Sequence, residues 1–292
     1  MITKPVVLIT GASAGMGEAA ARHFLKAGYE VYAGARRVEK MAHLAELGIH
    51  PLHLDVTDPE SNQAFVDQVL AATDRIDVLI NNAGYGSFGA LEDVAPAEAK
   101  RQFEVNVFGA LNLTQLVLPT MRKQHYGKII NNSSTGGQLY SPLGGWYYAS
   151  KHALEALSDS LRLEVKSFGI DVIIVEPGGT DTDWQRITNE HLLQTTPKSS
   201  PYRKMAERFA SATIKGMSTA DELGQLMLKV TTIKHPKSRY QAKFVDKLMV
   251  VAARKLSYRM MDRIVDVSQR VLTNTKQKSN DQVLRNVSHE TH

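Results

Sequence analysis

Thr10-Gly11-Ala12-Ser13-Ala14-Gly15-Met16-Gly17 is the stretch on which the reading of this 292-residue chain turns. It follows the apolar run Val6-Val7-Leu8-Ile9. Val6–Thr10 therefore reads as a strand and Gly17–Ala27 as a helix, with the glycines at the turn between them. Glycine lets the backbone turn tightly and come close to a pyrophosphate. The helix N-terminus adds N–H groups and the positive end of its dipole. The competing reading is a glycine-rich turn that binds nothing. A position after the first strand of a β-α-β unit weighs against it.

Working outward, short β-branched runs alternate with longer amphipathic ones. Glu30–Ala33, His50–Leu54, Val78–Asn81, Lys128–Asn131 and Asp171–Glu176 read as strands. Val38–Leu47, Pro59–Ala72, Ala97–Gln124 and Ala149–Ser167 read as helices. This alternation predicts an α/β, doubly wound fold of three layers (α, β, α) around a parallel sheet, with a helical C-terminal extension. Ligands of such sheets bind outside the C-terminal ends of the strands. Gly11 and its neighbours, Asp55, Asn82-Ala83-Gly84, Ser133-Ser134 and Pro177-Gly178 all fall on that rim. Residues 1–273 read as one domain and 274–292 as a disordered polar tail. Asp181–Pro201 is polar without clear period and reads as a lid or substrate loop.

Composition narrows the chemistry. The chain has no cysteine, which excludes disulfides, thiolate nucleophiles and cysteine metal sites. Its ten histidines show no metal-binding spacing, so no catalytic metal is expected. The start is too short in apolar residues for a signal peptide, and no window reaches the roughly 18 apolar residues of a membrane span. A cytoplasmic protein is expected. The net charge of +5 divides into +9 over residues 228–292 and −4 over the rest. The basic stretches Lys243–Leu256 and Tyr258–Leu272 have three readings: part of the substrate wall, a subunit contact, or a peripheral membrane contact. No nucleic-acid partner is expected.

TGxxxGxG is the cofactor signature of the classical short-chain dehydrogenase/reductase family, and Thr10, Gly11, Gly15 and Gly17 match it completely. The chain is identified as resembling that family over roughly residues 4–185, which implies a Rossmann-type fold and an NAD(P)-dependent oxidoreductase acting on CH–OH. In dinucleotide folds an acidic residue ending the second strand holds the ribose of NAD, whereas a basic one accommodates the 2′-phosphate of NADP. Here Ala35 stands in the acidic place, followed by Arg36 and Arg37, with Ser13 as a further donor. NADP is favoured over NAD. The resemblance assigns Asp55 and Val56 to the adenine, Asn82-Ala83-Gly84 to bracing the sheet beside the cofactor, and Pro177, Gly178, Thr180 and Thr182 to the nicotinamide. Met16 belongs to the phosphate turn.

Tyr147 and Lys151 lie at i and i+4, one turn apart on one helical face, whereas Tyr148 points elsewhere. A phenol shuttles a proton near neutral pH only if its pKa falls, and a nearby ammonium favours the phenolate. The spacing is common by chance. Ser134, 13 residues before Tyr147, and Asn106 in a long helix complete the family's catalytic tetrad. The resemblance gives Tyr147 the proton transfer, Ser134 the substrate oxygen, and Asn106 a helix kink and a water leading to Lys151. A weaker similarity is to the branch holding 17β-hydroxysteroid and retinol dehydrogenases. Leu139, Tyr140, Leu143 and Trp146 suggest a fairly apolar carbonyl or alcohol substrate. The competing functions are a non-catalytic NADP-binding sensor or scaffold, and an epimerase or dehydratase. The family commonly forms homodimers or homotetramers through the helices that begin here at Ala97 and Ala149.

Overall fold

The computed structural model describes residues 4–212 and 216–267. The element order is β1 (Val6–Thr10), α1 (Gly15–Lys26), β2 (Glu30–Ala35), α2 (Ala42–Ala45), β3 (His50–His53), α3 (Pro59–Thr73) and β4 (Val78–Asn81). Then follow α4 (Pro96–Phe103), a π-helical segment (Glu104–Gly109), α5 (Ala110–Gln124), β5 (Gly127–Asn132), α6 (Gly145–Val165) and β6 (Ile170–Val175). The chain continues through β7 (Thr180–Asp181), α7 (Asp183–Thr195), α8 (Arg203–Ala210), β8 (Ser218–Thr219), α9 (Ala220–Thr232), β9 (Arg239–Tyr240) and α10 (Phe244–Lys255).

Seven strands form one parallel sheet in the order β3-β2-β1-β4-β5-β6-β9. Strand alternation sorts the side chains of β1. Val7 and Ile9 meet Ala20 and Phe24 of α1 and Leu223 and Met227 of α9, while Val6 and Leu8 meet Phe65 and Val69 of α3 and Leu113 and Met121 of α5. Both faces of the sheet are covered, which is why β1, β4 and β5 are buried along their whole length. The strand order reverses between β1 and β4, so the crevice for a ligand opens there. This is the expected three-layer, Rossmann-type architecture.

Three expectations need correction. Helix α6 begins at Gly145, not Ala149, so Tyr147 sits in its first turn. The stretch 181–201 is largely helix rather than loop: Thr182 caps α7 by accepting from Trp184 N, and Thr188 and Leu192, one turn apart, are buried. Two buried positions in a polar stretch are a thin apolar stripe, and the period is correspondingly faint. The helix expected over Ala97–Gln124 is divided by the π-helical segment, which contains Asn106. The second basic stretch is described as helical over 258–267, and the expected tail 274–292 lies outside the described residues. Among the described residues no helix is long and apolar enough to cross a membrane, and none of their His, Asp and Glu side chains form a group that could hold a metal.

Candidate active site

The phosphate turn is built by backbone geometry. Gly11 and Gly15 have φ of 66° and 60°, the left-handed region that suits glycine. Gly11 leaves no room for a side chain, because a Cβ there would lie 2.9 Å from the Cα of Ala83. Asn82 braces the turn by donating from Nδ2 to the carbonyls of Thr10 (3.0 Å) and Gly11 (3.2 Å). The Thr10 hydroxyl accepts from the N–H groups of Asn82 and Ala83. The N-cap of α1 is Ala14, which has no side-chain acceptor to offer, so no cap side chain occupies the first N–H groups of that helix. An accessible, uncapped helix start on a glycine turn fits a pyrophosphate. Gly17 is buried, Ser13 and Met16 are half-buried, and Met16 also accepts weakly at sulfur from Asn132 Nδ2 (3.7 Å).

At the far end of the crevice Ala35 is buried and Arg36 and Arg37 are exposed. Asp55 and Asp58 both lie between β3 and α3, and each carboxylate has a local partner. Asp58 caps α3, accepting from Glu60 N (3.0 Å), and Asp55 Oδ1 accepts from the N–H (3.0 Å) and hydroxyl (2.8 Å) of Thr57. Burial works against its charge, yet these bonds and the Arg36 guanidinium hold the carboxyl below its ordinary range. Arg36 thus faces Asp55 across the pocket end. Val56 is buried, and its carbonyl lies against Gly109 of the π-helical segment.

The proposed reacting groups converge beside β5. The Ser134 hydroxyl donates to the Pro177 carbonyl (3.3 Å) and accepts from Gly136 N (3.0 Å), and it lies close enough to the Tyr147 phenol to favour its ionised form. Lys151, one turn along α6, is buried and donates from Nζ to the Asn132 carbonyl (2.9 Å). Asn106 clamps the loop above: Oδ1 accepts from Tyr85 N (3.0 Å), and Nδ2 donates to Tyr85 O (2.9 Å) and Ser150 Oγ (3.1 Å). Gly84 lies between them, a Cβ there falling 3.2 Å from Asn106 Oδ1 and 3.7 Å from Lys151 Nζ. Tyr148, the rival tyrosine, has its hydroxyl on Ser141 Oγ (2.8 Å) and not on Ser134. Thr182 lies over Gly15, 3.7 Å from where its Cβ would be, and so touches the phosphate turn while capping α7. Gly178 rests against Asp246 of α10, and Thr180, through β7, pairs with β8.

The electrostatics correct one expectation. Burial pushes the Tyr147 phenol up to about 12, with the nearby Ser134 hydroxyl opposing it, instead of the expected fall toward neutrality. Lys151 is driven the other way, down to about 8, by the same burial, and the nearby Glu155 carboxylate opposes that. The cause is the cover over Tyr147, which is only 8% exposed. Phe88 and Trp184 stand over its ring at centroid distances of 5.4 and 5.7 Å. In this closed arrangement the Lys151 ammonium is spent on Asn132, and desolvation governs the phenol.

Beneath the site lies a polar layer that no motif in the sequence announces. Glu155, on the same face of α6 as Tyr147 and Lys151, accepts from Ser133 Oγ (2.8 Å) and from Gln138 Nε2, so it brackets the turn that carries Ser134. Arg239 of β9 reaches Glu155 (3.2 Å), Glu176 (3.3 Å) and Asp159 (2.6 Å). An acid eight residues after Tyr147 on an inward-facing stripe was the one signal available. Trp184 and Phe88 carried no motif at all. Leu143, buried with φ of 68°, accepts from Gly89 N (2.7 Å) and so fixes the Phe88 loop against the start of α6.

A family model described as short chain dehydrogenase matches residues 5–192. A probable short-chain type dehydrogenase/reductase, VdlC, of Helicobacter pylori is 37% identical over 238 residues, covering 80% of this chain and 87% of that one. A 3-ketodihydrosphingosine reductase of Bacteroides thetaiotaomicron is 40% identical over 198 residues, 68% of this chain and 71% of its own length. Among solved structures, a short-chain dehydrogenase from Streptomyces avermitilis superposes with a TM-score of 0.75 at 29% identity, covering 96% of this chain and 99% of its own. A metagenomic short-chain oxidoreductase in complex with NADP reaches 0.65 at 28% identity, over 82% and 96%. The match of family model, relatives and whole-chain fold agrees with the glycine turn at the switch point: this chain belongs to the short-chain dehydrogenase family and is an NAD(P)-dependent oxidoreductase.

Proposed function

We propose that the protein is an NADP(H)-dependent oxidoreductase that interconverts a carbonyl and an alcohol on a small to medium, fairly apolar substrate, with Tyr147 as the proton donor and acceptor. The observation that carries this reading is the meeting of the Tyr147 phenol with the Ser134 hydroxyl, one turn from buried Lys151. When bound, the dinucleotide supplies the hydride for the carbonyl carbon. Ser134 donates to the carbonyl oxygen and steadies the charge that develops there. Tyr147 gives that oxygen its proton, and burial keeps the phenol protonated until then. Lys151, with a pKa near 8, is mostly an ammonium at neutral pH and steadies the phenolate left behind. Asn106 positions the Tyr85 loop above Lys151.

Gly11, Ser13, Gly15, Met16 and Gly17 would take the pyrophosphate; Asp55 and Val56 the adenine side; Asn82, Ala83 and Gly84 the wall beside it; Pro177, Gly178, Thr180 and Thr182 the nicotinamide. NADP over NAD rests on Arg36 and Arg37 beside Ala35, where a guanidinium fork can take a 2′-phosphate. The aromatic cover of Phe88, Trp184 and Phe209, whose ring is 5.5 Å from that of Phe88, favours an apolar substrate, and a relative named for a sphingoid ketone supports it. As further partners we propose a second copy of the chain, seated on the apolar groove of Leu91, Phe103, Phe108 and Trp146 between α4 and α6, and a peripheral membrane contact by the basic C-terminal part in a cytoplasmic setting. A panel of ketones and aldehydes assayed with NADPH and NADH tests the reading. Faster oxidation of NADPH with apolar ketones supports it; no turnover with either dinucleotide refutes it.

A further inference from the structure

Helix α10 faces outward with the side chains a soluble helix normally hides. Its inner face is narrow. Asp246 and Val250 are buried, and Asp246 accepts from the N–H groups of Gly178 and Lys243. The outer face carries Phe244, Val245, Leu248, Met249 and Val251, with Phe244 79% and Leu248 57% exposed. At 100° per residue these five span an arc of roughly 160°. Lys247 and Arg254 line one edge of the arc and Lys255 closes its end, all exposed. Lys243 shares that edge but is paired with Glu222. The helical stretch 258–267 is exposed as well: Tyr258 is 82% exposed, and Met260, Ile264 and Val267 follow at i, i+4 and i+7, while Arg259 and Arg263 are balanced by Asp262 and Asp266.

We propose that this face docks the protein on an anionic lipid bilayer, with α10 lying in the plane of the headgroups. The inference rests on the proposed membrane contact and is independent of the Tyr147 chemistry. Charge selects the occupant. A second copy of the chain would set one basic rim against another. Residues 268–292 carry four Lys and Arg against two Asp and Glu, the same sign as the rim. A bilayer of anionic lipid answers both halves of the pattern, its acyl boundary taking the apolar arc and its phosphates the basic edge. The placement also has a functional sense. The inner side of α10 packs on the turn Thr135–Gly137, next to Ser134, and Arg254 Nε donates to Gln138 Oε1 (3.0 Å). Docking through the outer side therefore holds the candidate active site at the membrane surface, where an apolar ketone resides.

The test is flotation of the full chain with vesicles of phosphatidylcholine alone or mixed with phosphatidylglycerol. The protein is expected to float with the mixed vesicles at low salt, to stay behind with the neutral ones, and to be released by high salt. Phe244→Ser with Leu248→Ser, and separately Lys247→Glu with Lys255→Glu, should each lower the bound fraction by roughly tenfold or more. Both pairs sit on exposed positions, so melting temperature and turnover of a water-soluble ketone should stay as in the wild type. Failure of the full chain to float with anionic vesicles overturns the proposal. So does a fall in solution mass of the Phe244→Ser, Leu248→Ser variant without lipid, which would assign the face to a second copy. A chain that floats but turns over no carbonyl would keep this inference and sink the reductase reading.

Discussion

Replacing Arg239 with glutamine removes a cation that faces three carboxylates beneath the candidate active site. Arg239 lies 2.6 Å from Asp159, 3.2 Å from Glu155 and 3.3 Å from Glu176. Asp159 is part-exposed, and water can take over its solvation. Glu155 and Glu176 are buried and cannot be rescued in that way. Stripping the partner from a buried charge typically costs about 3–5 kcal/mol, because the remaining charge stays desolvated. The cost should depend on pH. Burial and the nearby Glu155 charge already hold the Glu176 carboxyl well above the ordinary carboxylate range, while Arg239 pulls it down. Without Arg239 it rises further. A carboxyl whose folded pKa exceeds its unfolded value favours the fold at low pH, and that support is lost as pH rises through the folded pKa. Arg239→Gln should therefore cost about 3–5 kcal/mol near pH 8 and clearly less near pH 5.5, where a proton replaces the lost cation. Urea denaturation at both pH values, compared at equal m, measures it. A loss under about 1 kcal/mol, or one that does not change with pH, would refute the reasoning.

The phosphate turn and the titrating pair give the other expectations. Gly17→Ala puts a Cβ 2.5 Å from both Asn82 Nδ2 and the Gly11 carbonyl. It should cost about 1–3 kcal/mol in denaturation and weaken NADPH in a fluorescence titration. Arg36→Glu should raise the KM for NADPH by about 10- to 100-fold and leave that for NADH nearly unchanged, as steady-state kinetics would show. The Lys151 pKa falls from 10.5 to about 8 on folding. A buried ammonium opposes the fold while it is charged, so this opposition is relieved as pH rises from about 8 toward 10.5. Melts between pH 8 and 10 should show the wild type gaining on Lys151→Met across that window.

Much of the fold was legible because its signal is local. The alternation of Val6–Thr10 with Gly17–Ala27 and its successors is a periodicity, and the parallel sheet follows from covering both of its faces. The candidate site was legible for the same reason at Thr10–Gly17 and at Tyr147 and Lys151, where turn and helix geometry set the spacing. What stayed hidden depends on distant pairing. Arg239 meets Glu155 and Glu176 only because a two-residue strand, β9, docks on the edge of β6. Trp184 covers Tyr147 only because the start of α7 meets the start of α6, and the α7 stripe of Thr188 and Leu192 is too sparse to announce a helix. The phenol pKa went the opposite way to expectation for that reason: i, i+4 spacing fixes which face Lys151 shares with Tyr147, but not which oxygen its ammonium chooses.

The proton-transfer role of Tyr147 is tested most directly by single-turnover reduction of an accepted ketone with NADPH, comparing the wild type with Tyr147→Phe. Phenylalanine keeps the ring under Phe88 and Trp184 and removes only the hydroxyl near Ser134. The rate of the chemical step should fall by about 10²- to 10⁴-fold, the usual worth of a positioned general acid, while NADPH affinity changes little. A variant that reduces the ketone within a few-fold of the wild-type rate would contradict the assignment.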